Sequence, residues 1–131
     1  MELLLDTHTL LWYTESNKRL SAKSKRLLEN STNQLFVSIV SFYEIAIKIN
    51  IGKLQLDKNI PAFYEQTINA KIKIIEITDT HLNALATLPL YPQHKDPFDR
   101  LIIATALASN LTILTADNNF ELYKDLVEIV W

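Results

Sequence analysis

Short apolar runs alternate along this chain with longer segments of helical periodicity. Runs of this length, rich in aliphatic and β-branched residues, are typical of strands buried on both faces of a parallel sheet. Because turn and capping residues bound each run, we treat five of them as strands. The predicted strands are Glu2–Asp6, Leu35–Val37, Lys73–Ile77, Thr112–Leu114 and Val127–Trp131.

Capping residues and prolines delimit the helices predicted between these strands. The third helix is capped by Ser38 or Ser41 and stops near Gly52, the only glycine, which stands where a left-handed C-cap is needed. The last helix is apolar nearly all round, so we expect it to be sandwiched inside the domain. The other predicted helices are Thr7–Tyr13, Ser21–Leu28, Asn59–Asn69 and Asp79–Leu88, and the last one runs from the Asp96-Pro97 cap to Ser109 with Asn110 as its end.

Strands that alternate with helices of this length predict an α/β fold with a mostly parallel sheet covered on both faces. The chain has 131 residues, 48% hydrophobic and 21% charged, which is typical of one globular domain spanning residues 1–131. It contains no cysteine, so thiolate metal sites and disulfides are excluded. The longest apolar stretch is too short to span a bilayer, and a cytoplasmic protein is expected.

Four acidic residues lie near junctions between a predicted strand or turn and the helix that follows it: Asp6, Glu44, Asp99 and Asp117. Ligands of open α/β sheets bind outside the carboxyl ends of the strands, and Asp6 and Asp117 each follow a predicted strand there. Glu44 and Asp99 fall near the predicted first turns of two helices, where the helix dipole favours negative charge. If the fold brings the four together, they form a pocket that divalent cations neutralise, as in enzymes that cleave phosphodiesters.

Each acid also has a purely structural interpretation, and the sequence leaves these alternatives open. Ser41 to Glu44 matches a capping box, in which the glutamate reaches back to the cap. Asp96 to Asp99 matches an N-cap, a first-position proline and a third-position acid. Asp117 stands before two asparagines and suits a turn.

The formal net charge of −2 argues against a nucleic-acid binder at first sight. Without the four candidate site carboxylates, however, 15 − 4 = 11 acids remain against 13 basic residues. A local basic cluster either forms a solvated helix face or steers phosphates; it consists of Lys18, Arg19, Lys23, Lys25 and Arg26.

Four ordered segments resemble the PIN-domain ribonucleases, and more closely the toxins of VapC-type toxin-antitoxin pairs. They are LLLDTHTLLW, VSIVSFYEIAIKINIGKL, HKDPFDRLIIATALA and LTILTADNNF, and they carry the four acids in order. The resemblance implies a three-layer α/β/α fold and an endoribonuclease that uses Mg²⁺ or Mn²⁺ and a metal-activated water. It further implies an RNA substrate, a cognate antitoxin and a homodimer. The alternative is a PIN-like module that binds RNA or protein without cleaving it.

By this resemblance, Asp6 and Asp99 are the inner metal ligands, and Glu44 and Asp117 orient metal or water. Thr115 is expected to hydrogen-bond a carboxylate or phosphate, or only backbone, and Asp96 is expected to cap its helix and touch the site through water.

Other polar and aromatic residues flank the motifs. His94, Lys95 and Arg100 are candidates for RNA phosphate binding, with pairing to Asp96 as the alternative for Arg100. His8 is expected to pack or orient, and four aromatic residues are expected in the core or in a dimer interface: Trp12, Phe42, Tyr43 and Phe98.

Overall fold

The computed structural model describes residues 1–131 and contains one five-stranded sheet with the order β3-β2-β1-β4-β5. All four neighbouring pairs are parallel, so every strand ends at the same edge. The α/β prediction is therefore confirmed, with the first strand at the centre of the sheet. The strands are β1 (Glu2–Leu5), β2 (Gln34–Ser38), β3 (Ile72–Ile75), β4 (Thr112–Leu114) and β5 (Ile129–Val130).

Six α-helices and one 3-10 helix connect the strands. No helix is both long enough and apolar enough to cross a membrane. The helices are α1 (Thr7–Thr14), α2 (Ala22–Glu29), α3 (Ile39–Asn50), α4 (Ile60–Asn69), α5 (Asp79–Ala86) and α6 (Pro97–Ser109), and the 3-10 helix is Asn118–Tyr123.

Alternating side chains of β1 belong to two separate apolar clusters, one on each face of the sheet. Leu3 and Leu5 pack with residues of α1, α2, α3 and α4, whereas Leu4 packs with α6 and the 3-10 helix. Because successive side chains of a strand point to opposite faces, a strand buried on both faces must be apolar throughout. This gives the three-layer α/β/α arrangement, and the long run of buried residues in α6 confirms that this helix is sandwiched.

Most predicted boundaries agree with the structure within two residues, and three local details add to the prediction. Ser38 caps α3, since its hydroxyl accepts from the backbone N–H of Val40, so Ser41 is not the cap. Gly52 has φ = 76° just beyond α3, as expected for a left-handed C-cap. The 3-10 helix that follows β4 is not predicted by the sequence pattern, because it has no clear helical periodicity.

Candidate active site

Asp6 directly follows β1 at the edge where the strands end, and it is buried. Its Oδ1 accepts a hydrogen bond from the N–H of Thr9 at 2.9 Å, so the carboxylate caps α1. A buried carboxylate is stable as an anion only where hydrogen bonds or cations compensate for lost water. Asp6 is therefore anchored by the helix that it starts.

Thr115 joins two of the acids across neighbouring strands. Its hydroxyl donates to Asp6 Oδ2 at 2.6 Å and accepts from the N–H of Asp117 at 3.0 Å. Asp117 in turn caps the 3-10 helix, because its Oδ1 accepts from the N–H of Asn119. Of the two expectations for Thr115, the structure shows the hydrogen bond to a carboxylate.

Glu44 lies in the second turn of α3, which corrects the expectation that it falls in the first turn and removes the capping-box interpretation. Lys48, one turn further on, approaches its Oε2 at 3.3 Å. The other oxygen, Oε1, is the one buried side-chain polar atom without a hydrogen-bond partner in the structure. A buried oxygen left without a partner costs about 1–3 kcal/mol, and Glu44 Oε1 keeps free acceptor capacity for a donor or a cation.

A buried hydrogen bond fixes α1 and α3 relative to each other beneath the acids. The hydroxyl of Thr7 donates to the hydroxyl of Ser41 at 2.9 Å. Thr7 follows Asp6 directly, and Ser41 precedes Glu44 by one turn of helix. The contact therefore fixes the position of Asp6, at the start of α1, relative to Glu44 in α3.

Asp99 lies in the first turn of α6, and Asp96 is the N-cap of that helix. Oδ1 of Asp96 accepts from the N–H groups of Phe98 and Asp99. The expected capping role of Asp96 is confirmed. The charge of Asp96 also acts on the neighbouring carboxyl group of Asp99.

Burial and like charges both perturb the pKa of Asp99, whose side chain is still partly exposed. Burial first, and the charges of neighbouring acids second, raise the pKa of Asp99 to about 8. Burial also raises the pKa of Asp6, although hydrogen bonds from Thr115 and Thr9 oppose this effect. The acids whose charges act on Asp99 are, in decreasing order, Asp96, Asp6, Asp117 and Glu44.

Asp6 and Asp117 share the hydroxyl group of Thr115, and the charges of Asp6, Asp117 and Glu44 all act on Asp99, so the four acids lie near one another at one edge of the sheet. We call Asp6, Glu44, Asp99 and Asp117 the acid cluster. No three acidic or histidine side chains already stand in the geometry of a metal site. Neighbouring groups contact individual oxygens of each acid. Each carboxylate oxygen has two lone pairs, so one such contact leaves acceptor capacity for a cation. The donor set is oxygen only and fits Mg²⁺ or Mn²⁺.

His94 and Arg100 are buried, which does not fit the expectation that they bind RNA phosphates. Arg100 donates to the backbone carbonyls of Leu88 and Pro89 and to the hydroxyl of Tyr123, and no ion pair with Asp96 forms. His94 contacts Tyr123 through Nδ1 and Asp99 through Nε2. Both residues therefore help to hold the Asp99 side chain in place, His94 by direct contact and Arg100 through Tyr123.

Lys95 and the whole basic cluster are exposed, so their proposed contacts with phosphates stay predictions. His8 is exposed and its ring lies 5.8 Å from that of Trp12, in keeping with a packing role. Phe42 is buried in the core, whereas the exposed Tyr43 packs edge-on against Phe98 at 5.7 Å.

Two supporting residues are absent from the sequence-based interpretation. Lys48 could have been found, since Glu44 and Lys48 have the i, i+4 spacing of a helical ion pair. No sequence pattern indicates the role of Tyr123, because its contact with His94 joins residues that are 29 positions apart, in a segment without periodicity.

Comparison with known proteins gives the same family over nearly the whole chain. A model of the PIN domain matches residues 3–126. The chain is 27% identical over 123 residues to ribonuclease VapC22 of Mycobacterium tuberculosis, covering 93% of this chain and 92% of that protein.

Solved structures resemble the fold at lower identity. A VapBC2 structure from Rickettsia felis, bound to a DNA fragment from its promoter, superposes with a TM-score of 0.67 at 16% identity, covering 99% of this chain and 98% of that chain. VapBC-1 from nontypeable Haemophilus influenzae gives 0.66 at 17% identity, with 99% and 97% covered.

Proposed function

Because the chain belongs to the PIN-domain family, we propose that it is a metal-dependent endoribonuclease and the toxin of a type II toxin-antitoxin pair. Similarity to a ribonuclease across 93% of the chain supports the activity. A cytoplasmic site of action is part of the same proposal, and an RNA substrate supports it.

The observation that carries this proposal is the convergence of four carboxylates on Asp99. The charges of neighbouring carboxylates help to raise the pKa of Asp99, and such a cluster is unfavourable without a cation. Structural roles alone do not require four acids at this edge. The unpartnered Oε1 of Glu44 supports the same conclusion, because a buried acceptor of this kind suits a cation or a cation-bound ligand.

In this proposal, Asp6 and Asp99 hold the metal, and Glu44 and Asp117 orient it or the attacking water. A bound Mg²⁺ or Mn²⁺ supplies positive charge at the scissile phosphate and activates the water that attacks it. Thr115 keeps the Asp6 carboxylate in place, and Asp96 keeps the start of α6 in place. The chain itself contributes orientation and negative charge, while the cation makes a polyanionic substrate acceptable at an acidic edge.

The proposed partners are an antitoxin protein and a second copy of this chain. A toxin-antitoxin complex from Klebsiella pneumoniae shares this fold, which supports an antitoxin as a partner. A cationic antitoxin side chain that reached the acid cluster would neutralise the same charges as the metal.

The experiment is cleavage of a mixed pool of structured RNA by purified protein without antitoxin. Reactions contain Mg²⁺, Mn²⁺ or EDTA, and each is repeated with Asp99→Asn and with Asp125→Asn. Asp125 is an exposed acid outside the acid cluster and serves as the matched control. Cleavage that requires both a metal and Asp99 is expected. Equal cleavage in EDTA, or full cleavage by Asp99→Asn, would contradict the proposed mechanism, and binding of the pool without any cleavage would favour a binding module.

A further inference from the structure

Three buried side chains form a chain of hydrogen bonds that ends on the Asp99 carboxylate. Arg100 Nη1 lies 3.0 Å from the hydroxyl oxygen of Tyr123, and this oxygen lies 3.0 Å from His94 Nδ1. His94 Nε2 then lies 3.2 Å from Asp99 Oδ2. Arg100, Tyr123 and His94 are 8%, 0% and 4% exposed, so water does not compete for these contacts.

Donor and acceptor rules fix the first bond of this chain, and the tautomer of His94 sets the direction of the other two. A guanidinium group can only donate, so the Tyr123 oxygen accepts from Arg100. The Tyr123 hydroxyl can then donate its own proton to His94 Nδ1. A neutral imidazole that accepts at Nδ1 carries its proton on Nε2, so His94 donates to Asp99 Oδ2.

The start of this chain is anchored in backbone. Arg100 also donates to the carbonyl oxygens of Pro89 at 2.9 Å and Leu88 at 3.4 Å, in the connection between α5 and α6. The Tyr123 ring packs edge-on against Tyr91 at 5.1 Å. Backbone carbonyl groups hold Arg100 at the start of this chain. The chain can therefore give Asp99 a fixed orientation.

We propose that Arg100, Tyr123 and His94 act as a relay that positions Asp99, holding Oδ2 so that Oδ1 faces the divalent cation. This inference rests on the proposed metal-binding role of Asp99. His94 is the side chain that bonds this carboxylate, and no hydrogen bond reaches Oδ1. Groups that orient a metal ligand contribute about 10- to 100-fold to metal affinity. Residues that only fill the core contribute to stability instead.

The first test reads the tautomer of His94 by ¹⁵N NMR of histidine-labelled protein without metal. The proton is expected on Nε2 in the wild type. Tyr123→Phe removes only the hydroxyl group and should release this preference, giving a mixture of tautomers. Tyr91→Phe is the matched control, because it removes a hydroxyl from the neighbouring ring and should change nothing. A proton found on Nδ1 in the wild type would overturn the relay.

The second test measures Mn²⁺ affinity by calorimetry in two His94 variants. The amide nitrogen of glutamine can replace Nε2 and reach Asp99, whereas the shorter asparagine can replace only Nδ1. We expect His94→Gln to bind Mn²⁺ within about threefold of the wild type and His94→Asn to bind about tenfold more weakly or worse. His81→Asn is the control, since His81 is a buried histidine that bonds Thr78 and Ser109 away from the acid cluster.

The outcomes separate the relay from the proposed function. Wild-type affinity in His94→Asn, with an unchanged circular dichroism spectrum, would overturn the relay even if RNA is cleaved. Affinity that depends on His94 in a protein that cleaves no RNA would support the relay and count against the nuclease. If the wild type bound no Mn²⁺, both would be overturned.

Discussion

The faces of the sheet bury aliphatic and aromatic side chains, whereas buried polar side chains gather where the strands end. Each face carries a cluster of 12 buried hydrophobic residues. Nine of the 13 buried polar or charged residues surround the acid cluster or belong to it. These nine are Asp6, Thr7, Thr9, Ser38, Ser41, Glu44, His94, Arg100 and Thr115.

This contrast teaches where the fold gains stability and where it loses it. Apolar burial on the faces stabilises the chain by roughly 25 cal/mol for each Å² removed from water. At the strand ends, like charges and an unpartnered glutamate oxygen oppose folding, and a bound cation would offset this cost. Substitutions at the two regions should therefore separate stability from activity.

The largest effect is expected at the acid cluster. Asp99→Asn removes a proposed metal ligand while keeping the shape of the side chain, and RNA cleavage should fall by about 1,000-fold, or roughly 4 kcal/mol. Metal-free stability should not fall, because a repelled carboxyl group is removed. Initial cleavage rates and urea unfolding in EDTA measure the two quantities. A loss of unfolding free energy as large, in kcal/mol, as the loss of activity would contradict this separation of the two regions.

The opposite pattern is expected for a face of the sheet. Ile103 is fully buried in α6, and Ile103→Ala should destabilise the protein by about 3 kcal/mol through lost packing and a cavity. Cleavage per folded molecule should change little. Leu107→Ala, at a 37% exposed position of the same helix, is the control and should cost less than about 1 kcal/mol. Unfolding by urea distinguishes the two variants.

Thr115 lies between the two regions, so its replacement should affect both stability and activity. Thr115→Val keeps the shape but leaves Asp6 Oδ2 and the N–H of Asp117 without this hydroxyl. We expect a loss of about 1–2 kcal/mol in stability and a smaller loss of activity than in Asp99→Asn. Thr112→Val, at the start of β4, provides the matched control. Equal effects of the two substitutions would show that the hydroxyl of Thr115 has no special role.

A further effect, independent of activity, is a pH dependence of metal-free stability. The pKa of Asp99 is raised from 3.8 to about 8 in the folded protein, so the folded state binds more protons between these values. Its contribution is therefore favourable at low pH and is lost as the pH rises through this window. Urea midpoints in EDTA should fall between about pH 5 and about pH 8, and Asp99→Asn should flatten the slope. An equally steep slope in the variant would assign the effect to other groups.

Sequence patterns were sufficient to predict the layers and the acids at the strand ends. Short runs such as Leu3 to Leu5 must be buried on both faces, and parallel strands bring Asp6 and Asp117 to one edge. These conclusions follow from local periodicity and topology alone. They required no knowledge of side-chain contacts.

The side chains that hold Asp99 in place could not be predicted in the same way. Arg100 and His94 look like surface phosphate ligands beside an acid, and only tertiary packing shows that both are buried around Tyr123. Similarly, Ser41 fits a capping box, but α3 begins earlier at Ser38 and leaves the Ser41 hydroxyl to Thr7. Long-range contacts of this kind have no signature in one sequence.

The most direct test of the metal site is a crystal grown with Mn²⁺ and measured for its anomalous signal. We predict a peak at the edge of the sheet within ligand distance of Asp6 and Asp99, with Glu44 and Asp117 facing it directly or through water. No peak there at Mn²⁺ concentrations that support RNA cleavage, or a peak bound only elsewhere on the protein, would contradict the account.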